Sequence, residues 1–132
     1  MVFEEALLAR LKADAELARL TGGRIYWVDR PQDKPLPAVV LTLIGGTKAF
    51  TMGGAQGLQR ARVQVDVLAS SYAVASAIEQ AVTAAAEGRA QHSGFQFLQA
   101  QVFGPFDRGE RTSSGFVHRK QVDLDIPHYR LS

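Results

Sequence analysis

The segment RARVQVDVLASSYAVASAIEQAV, residues 60–82, sets the architecture because a pattern of period two runs directly into a helical one. Its first half alternates apolar and mostly polar residues, the apolar row being Ala61, Val63, Val65, Val67 and Ala69. Such alternation is typical of a strand with one buried face. Ser70 or Ser71 suits the N-cap of a helix over 71–87, because a serine hydroxyl accepts from the free N–H groups of the first turn.

Two amphipathic helices are predicted. The helix over 71–87 has an apolar stripe and ends at Gly88; the stripe is Val74, Ile78, Ala81, Val82 and Ala85. A helix over residues 2–20 has the stripe Phe3, Leu7, Leu8, Leu11, Ala15 and Ala18, and Thr21-Gly22-Gly23 ends it. Because each stripe needs an apolar surface to cover it, we expect both helices on the same face of the sheet.

Four further segments predict strands, at residues 24–28, 38–44, 95–103 and 118–126. Prolines make the link between the first two extended and non-helical. The order is therefore α-β-β-β-α-β-β. It indicates one α+β domain over residues 1–132, with a mainly antiparallel sheet of about five strands and two helices on one face.

Two segments read as mobile loops. Residues 45–59 are rich in glycine, and Phe50 and Met52 stand among those glycines with no predicted core to enter. Residues 104–115 form a polar connection that includes Arg108 and Arg111. We expect both loops to become ordered against assembly partners.

The composition excludes several classes of protein. Apolar residues make up 46% and charged residues 21%, which is ordinary for a globular domain. The chain has no cysteine, so no disulfide or thiolate site exists. No apolar run approaches the roughly 20 residues that span a bilayer, and acids near the N-terminus do not fit a secretory signal, which favours synthesis in the cytoplasm. The arginines are scattered, whereas a dedicated nucleic-acid binder concentrates them on one face.

A search for catalytic chemistry yields one weak candidate. Asp66, Asp123 and Asp125 could share a sheet face and hold Mg²⁺, as in a small metal-dependent hydrolase. The alternative is that they balance Arg62 and Arg119 across neighbouring strands. The histidines, His92, His118 and His128, show no metal-ligand spacing, and neither a nucleophile elbow nor a phosphate loop occurs. We therefore expect no enzymatic activity, no cofactor and no metal.

The layout of nearly the whole chain resembles a family of tail-completion or tail-terminator proteins of long-tailed phages and phage-like particles. The matching segments follow the opening helix in order; they are GGRIYWVDRPQDKPLPAVVLTLIGG, RVQVDVLASSYAVASAIEQAV and VHRKQVDLDIPHY. The resemblance implies a ring, typically a hexamer, at the head-proximal end of the tail tube. Such a ring stops tube growth and joins the tail to the head.

The resemblance also implies the partners and the location. The partners are other copies of the chain, the tail tube protein and a head–tail connector or stopper protein, with DNA only passing through the channel. The location is a virion, or a particle from a prophage or gene transfer agent. Another neck role, as adaptor or stopper, stays open.

The predicted interface combines three groups of residues. A polar sheet face can supply complementary charge to a neighbouring subunit; it consists of Arg62, Gln64, Asp66, Gln121, Asp123 and Asp125. The two loops add Phe50 and Met52 in one case and Arg108 and Arg111 in the other. The alternative for the polar face is that it is only wetted by solvent.

Overall fold

A computed structural model describes residues 2–30, 35–48, 57–113 and 115–131. The helices are α1 (Phe3–Lys12), α2 (Ala15–Thr21) and α3 (Tyr72–Glu87). The strands are β1 (Ile25–Trp27), β2 (Ala38–Lys48), β3 (Gln59–Ala69), β4 (Ala90–His92), β5 (Phe95–Phe97), β6 (Gln101–Thr112) and β7 (Gly115–Arg130). No helix within these described ranges is long and apolar enough to cross a membrane.

The strands form one sheet in the order β1-β2-β3-β7-β5-β4, and β6 also pairs with β7. Every pairing is antiparallel except that of β1 with β2. One edge of β7 carries β3, while β5 and β6 follow one another along its opposite edge. β7 is therefore the central strand of the architecture.

The predicted strand and helix of residues 60–82 are confirmed. Burial alternates along β3, and the row from Ala61 to Ala69 is buried. The Ser71 side chain accepts a hydrogen bond from the Val74 N–H, which makes it the N-cap of α3. One apolar core joins this row to the three helices and to Val122, Leu124 and Ile126 of β7. The helices consequently share one face of the sheet, as predicted.

The single helix predicted over 2–20 is wrong, because the chain breaks between α1 and α2. Asp14 has an extended backbone and its carboxylate accepts from the Leu17 N–H, so it caps a new helix. An aspartate that bonds to nearby backbone favours such a start over the interior of a helix. The break places Leu17 in the core, whereas the uninterrupted stripe predicted Ala15 and Ala18 there.

The prediction of about five strands and two helices is also wrong in number and order. β4 and β5 form a short hairpin around Ser93 and Gly94, which have φ of 51° and 82°. Such a two-residue turn with both φ positive matches the right-handed twist of the strands. The polar connection predicted at 104–115 is a long hairpin made by β6 and β7. The Ser-Gly pair between two short alternating runs was a sequence signal for the first of these.

Part of the glycine-rich segment is strand as well. Gly45 and Gly46 extend β2 opposite Arg62 and Ala61 of β3. A Cβ on Gly46 would lie 2.5 Å from the Arg60 carbonyl oxygen, so the glycine permits a close approach of two strands. Residues 49–56, which include Phe50 and Met52, lie outside the described ranges.

Candidate functional site

The sheet face opposite the helices carries the polar residues that the sequence singles out. β3 and β7 are in a register that sets Arg62 opposite Asp125, Gln64 opposite Asp123 and Asp66 opposite Gln121. All six of these residues are partly buried. We call this surface, formed by Arg60, Arg62, Gln64, Asp66, Gln121, Asp123 and Asp125, the open face. Its role in binding stays a prediction.

Ion pairs on the open face run diagonally between the strands. Arg60 Nη1 lies 3.5 Å from Asp125 Oδ2, and Arg62 Nη2 lies 3.8 Å from Asp123 Oδ2. The Gln64 side-chain amide donates to Asp66 Oδ2 at 3.0 Å. Opposite charges placed on neighbouring strands stabilise a sheet modestly. Each carboxylate of the face therefore has a cationic or amide partner.

The three aspartates that a metal-dependent hydrolase would use, Asp66, Asp123 and Asp125, have Gln or Arg partners in this arrangement. Among the described residues, no group of three or more His, Asp or Glu side chains is placed to hold a metal ion. The aspartates of β7 instead pair with arginines of the neighbouring strand β3, as the alternative prediction stated, but Arg119 is not one of their partners. Arg119 lies 3.9 Å from Glu110 and does not pair with these aspartates.

Two aromatic side chains border the open face on the β6 side. Phe103 is opposite Asp123 and Phe106 is opposite Gln121, with a register shift between them. They are 39% and 52% exposed, which is unusual for phenylalanine in a strand. The Arg62 guanidinium lies 4.4 Å from the centre of the Phe103 ring, a cation–π contact. Sequence reasoning missed both residues because the irregular Gly104-Pro105 step hides their shared face.

A polar cluster ties the β6–β7 hairpin to the start of α3. Lys120 Nζ donates to Asp107 Oδ1 at 2.7 Å and to the Tyr72 hydroxyl at 3.0 Å, and that hydroxyl donates to Asp107 Oδ2 at 2.9 Å. The hydrogen bonds from Lys120 and Tyr72 lower the pKa of Asp107, and the bond to Asp107 raises the pKa of Lys120. This cluster keeps both groups charged and fixes the hairpin against the helix.

Arg108 and Arg111 lie on opposite faces of the hairpin. Arg108 is opposite Arg119, and both line a small cleft with Glu110 and Val117. Arg111 faces the helix side, where its guanidinium lies 5.8 Å from the centre of the Phe116 ring. The structure therefore does not bring the two predicted arginines together.

A cleft of about 450 Å³ opens at the other end of the sheet, beside the N-terminus of α1. Phe3, Leu43 and His128 line it. The His128 ring stacks on Phe3 with ring centres 4.1 Å apart, and its Nδ1 lies 3.0 Å from the Ile126 carbonyl oxygen. Burial lowers the pKa of His128, which favours the neutral imidazole. No catalytic partner touches this ring among the described residues, and its contacts fit a role in packing.

Two comparisons with known proteins found matches, one to a protein family and one to a solved structure. The model of the family described as "Tail completion protein gp17" matches residues 5–122. A chain in the structure titled "Virion of native gene transfer agent (GTA) particle" has a similar fold, with a TM-score of 0.66 and 20% sequence identity. The superposition covers 96% of this chain and 94% of that one. No curated protein sequence matches the chain.

Proposed function

The chain belongs to the tail completion protein gp17 family, and on that premise we propose that it forms a ring at the head-proximal end of a tail tube. It is a structural component of the tail or neck of a virion or phage-like particle. In the proposed role, the ring stops tube growth and joins the tail to the head. The observation that carries the proposal is the family match over residues 5–122, which covers most of the described elements and the open face except Asp123 and Asp125.

The fold supports an assembly role in a particle. The similar chain is part of a gene transfer agent virion, and the likeness extends over nearly the full length of both chains. The open face adds a surface on which arginines and aspartates of neighbouring strands lie within 3.5 Å and 3.8 Å of each other. Such a surface suits specific contact with a neighbour, because complementary charge selects the correct partner and register.

A closed ring requires two different patches on each subunit. A heterologous interface joins one patch of a subunit to another patch of the next, and it closes when the rotation between subunits does. The open face, with Phe103 and Phe106 at its border, is a candidate for one patch. We propose a hexamer, with the tail tube protein below the ring and a connector or stopper protein above it. DNA would pass through the channel.

Deletion of the gene in cells that produce the particle tests this role. We expect heads without joined tails, or tubes longer than normal, when the lysate is viewed by electron microscopy. A plasmid copy of the gene should restore normal particles and is the control. Tails of normal length that fail only to join heads would instead assign the chain to an adaptor or stopper. Normal particles in the deletion strain would refute a role in tail completion.

A further inference from the structure

Among the described residues, no strand covers the outer edge of the second half of β2. β1 covers only Val39–Leu41, where the Val39 N–H donates to the Arg24 carbonyl and the Leu41 carbonyl accepts from the Val28 N–H. Backbone groups of alternate residues point to the same side of a strand. The N–H and C=O of Leu43 therefore also point outward, and no described residue pairs with them.

The opposite edge is open along β6, which pairs with β7 alone among the described residues. The Pro127 carbonyl accepts from the Leu98 N–H, so the odd-numbered residues of β7 turn their backbone groups away from β3. In the β6–β7 register, the backbone groups of Gln121 and Arg119 face those of Phe106 and Arg108. The backbone groups of Asp107, Gly109 and Arg111 consequently point outward.

Exposed apolar side chains concentrate at these two edges. Leu43 and Ile44 are 47% and 46% exposed on β2, and Val28 beside them is exposed as well. The β6 edge has Phe103 and Phe106, and Phe116 of β7 is opposite Arg111 of β6. The exposed Tyr72 contacts the hairpin through Asp107. Open strand edges with apolar side chains readily pair with another chain.

We propose that residues 106–112 of β6 in one copy pair with the outer edge of β2, around Leu43, in the next copy. The sheet then continues from subunit to subunit, and its helix face and open face each continue with it. This inference rests on the proposed ring and names the segments that build it. Strand addition supplies affinity through backbone hydrogen bonds, while the side chains at each edge set the register.

A second copy is the favoured occupant because one chain carries both halves of the contact on opposite sides of one sheet. β2 and β6 are three strand positions apart, with β3 and β7 between them, so they cannot meet within a subunit. Each edge is also limited in length. A register shift interrupts β2 between Leu43 and Gly45, and Pro105 with a second shift interrupts β6. Bulges and proline at edges restrict unlimited pairing.

Cysteine cross-linking tests the contact, since the chain has no native cysteine. Leu43→Cys is combined in turn with a single cysteine at each position from 106 to 112, and particles made with each variant are oxidised. We expect disulfide-linked oligomers whose yield alternates along β6. The high yields fall at Asp107, Gly109 or Arg111, because these positions and Leu43 lie on the helix face of the continued sheet. Arg108→Cys is the matched control, on the open face.

The outcomes separate this inference from the proposed function. Particles that contain the chain and have normal tails, but give no cross-link with any pair, would overturn the strand pairing and leave the ring intact. Dimers formed by a β6 cysteine alone would also overturn it, because they require contact between identical edges. Absence of the chain from purified particles would refute the proposed function itself. Cross-link yields that alternate from one β6 position to the next in the double variants support the pairing.

Discussion

Val65 and Val117 lie in the same sheet but in opposite environments. Val65 is fully buried in β3, whereas Val117 is partly exposed on the open side of the hairpin. We expect Val65→Asp to lower the free energy of unfolding by more than about 3 kcal/mol, since an unpaired buried carboxylate is costly. Val117→Asp is the matched control and should lower the free energy of unfolding much less, because solvent and the Arg119 guanidinium can contact a carboxylate at that position. Chemical denaturation measures both; equal losses would contradict the assigned face of β3.

His128 should make stability depend on pH. Burial lowers its pKa in the folded chain, so the unfolded chain binds more protons as the pH falls below the ordinary value for histidine. The stability that neutral His128 contributes is fully present above the ordinary histidine pKa and is lost as the pH falls through the lowered pKa of the folded chain. We expect the free energy of unfolding to decrease as the pH falls below the ordinary histidine value of about 6.5. His128→Phe, which keeps a ring against Phe3, should flatten this decrease; an unchanged slope would contradict it.

At the scale of elements, the β6–β7 hairpin depends on its anchor to α3. Asp107→Asn removes the charge that holds Lys120, and Tyr72→Phe removes the hydroxyl between them. We expect faster hydrogen exchange over residues 106–118 in either variant, with little change in the exchange of β3. Arg108→Gln is the control, since Arg108 has no ion pair with a described residue. Unchanged exchange in both variants would show that other contacts hold the hairpin.

The elements also show what sequence patterns could and could not predict. The period of two in β3 and the serine cap of α3 were sufficient to predict these two elements, because local chemistry and tertiary packing favour the same structure there. The β6–β7 hairpin was missed because residues 104–112 are all exposed, so neither face of this segment shows an apolar period. The break at Asp14 was missed because the apolar stripe passes through it, although aspartate at a cap was the available signal.

The open face was predictable in part from the same patterns. Alternation in β3 and β7 placed the six polar residues on shared faces, and the register brings those faces together. The particular ion pairs depend on a diagonal offset between strands, which no sequence period specifies. Phe103 and Phe106 join the face through a register shift, and such shifts have no reliable sequence signature.

At the scale of the whole molecule, the open face should affect assembly more than folding. Arg62 pairs with Asp123 and covers Phe103, so Arg62→Glu reverses the charge at the centre of the face. We expect this variant to fold, because losing a partly exposed ion pair lowers the free energy of unfolding by about 1 kcal/mol or less. We also expect purified particles to contain less of this variant than of the unchanged chain. Arg19→Glu is the control, since its ion pair with Glu16 is exposed on α2. Normal incorporation of Arg62→Glu would show that solvent alone wets the face.

The central claim concerns the place of the chain in the particle, and electron cryo-microscopy of that particle measures it most directly. A reconstruction of the junction between tail and head should contain a closed ring of this chain on the last ring of the tube, with hexameric symmetry and an open channel. The chain should be identifiable there by its three helices on one face of the sheet and by the long β6–β7 hairpin. Its presence elsewhere in the particle, or its absence from this junction, would contradict the account.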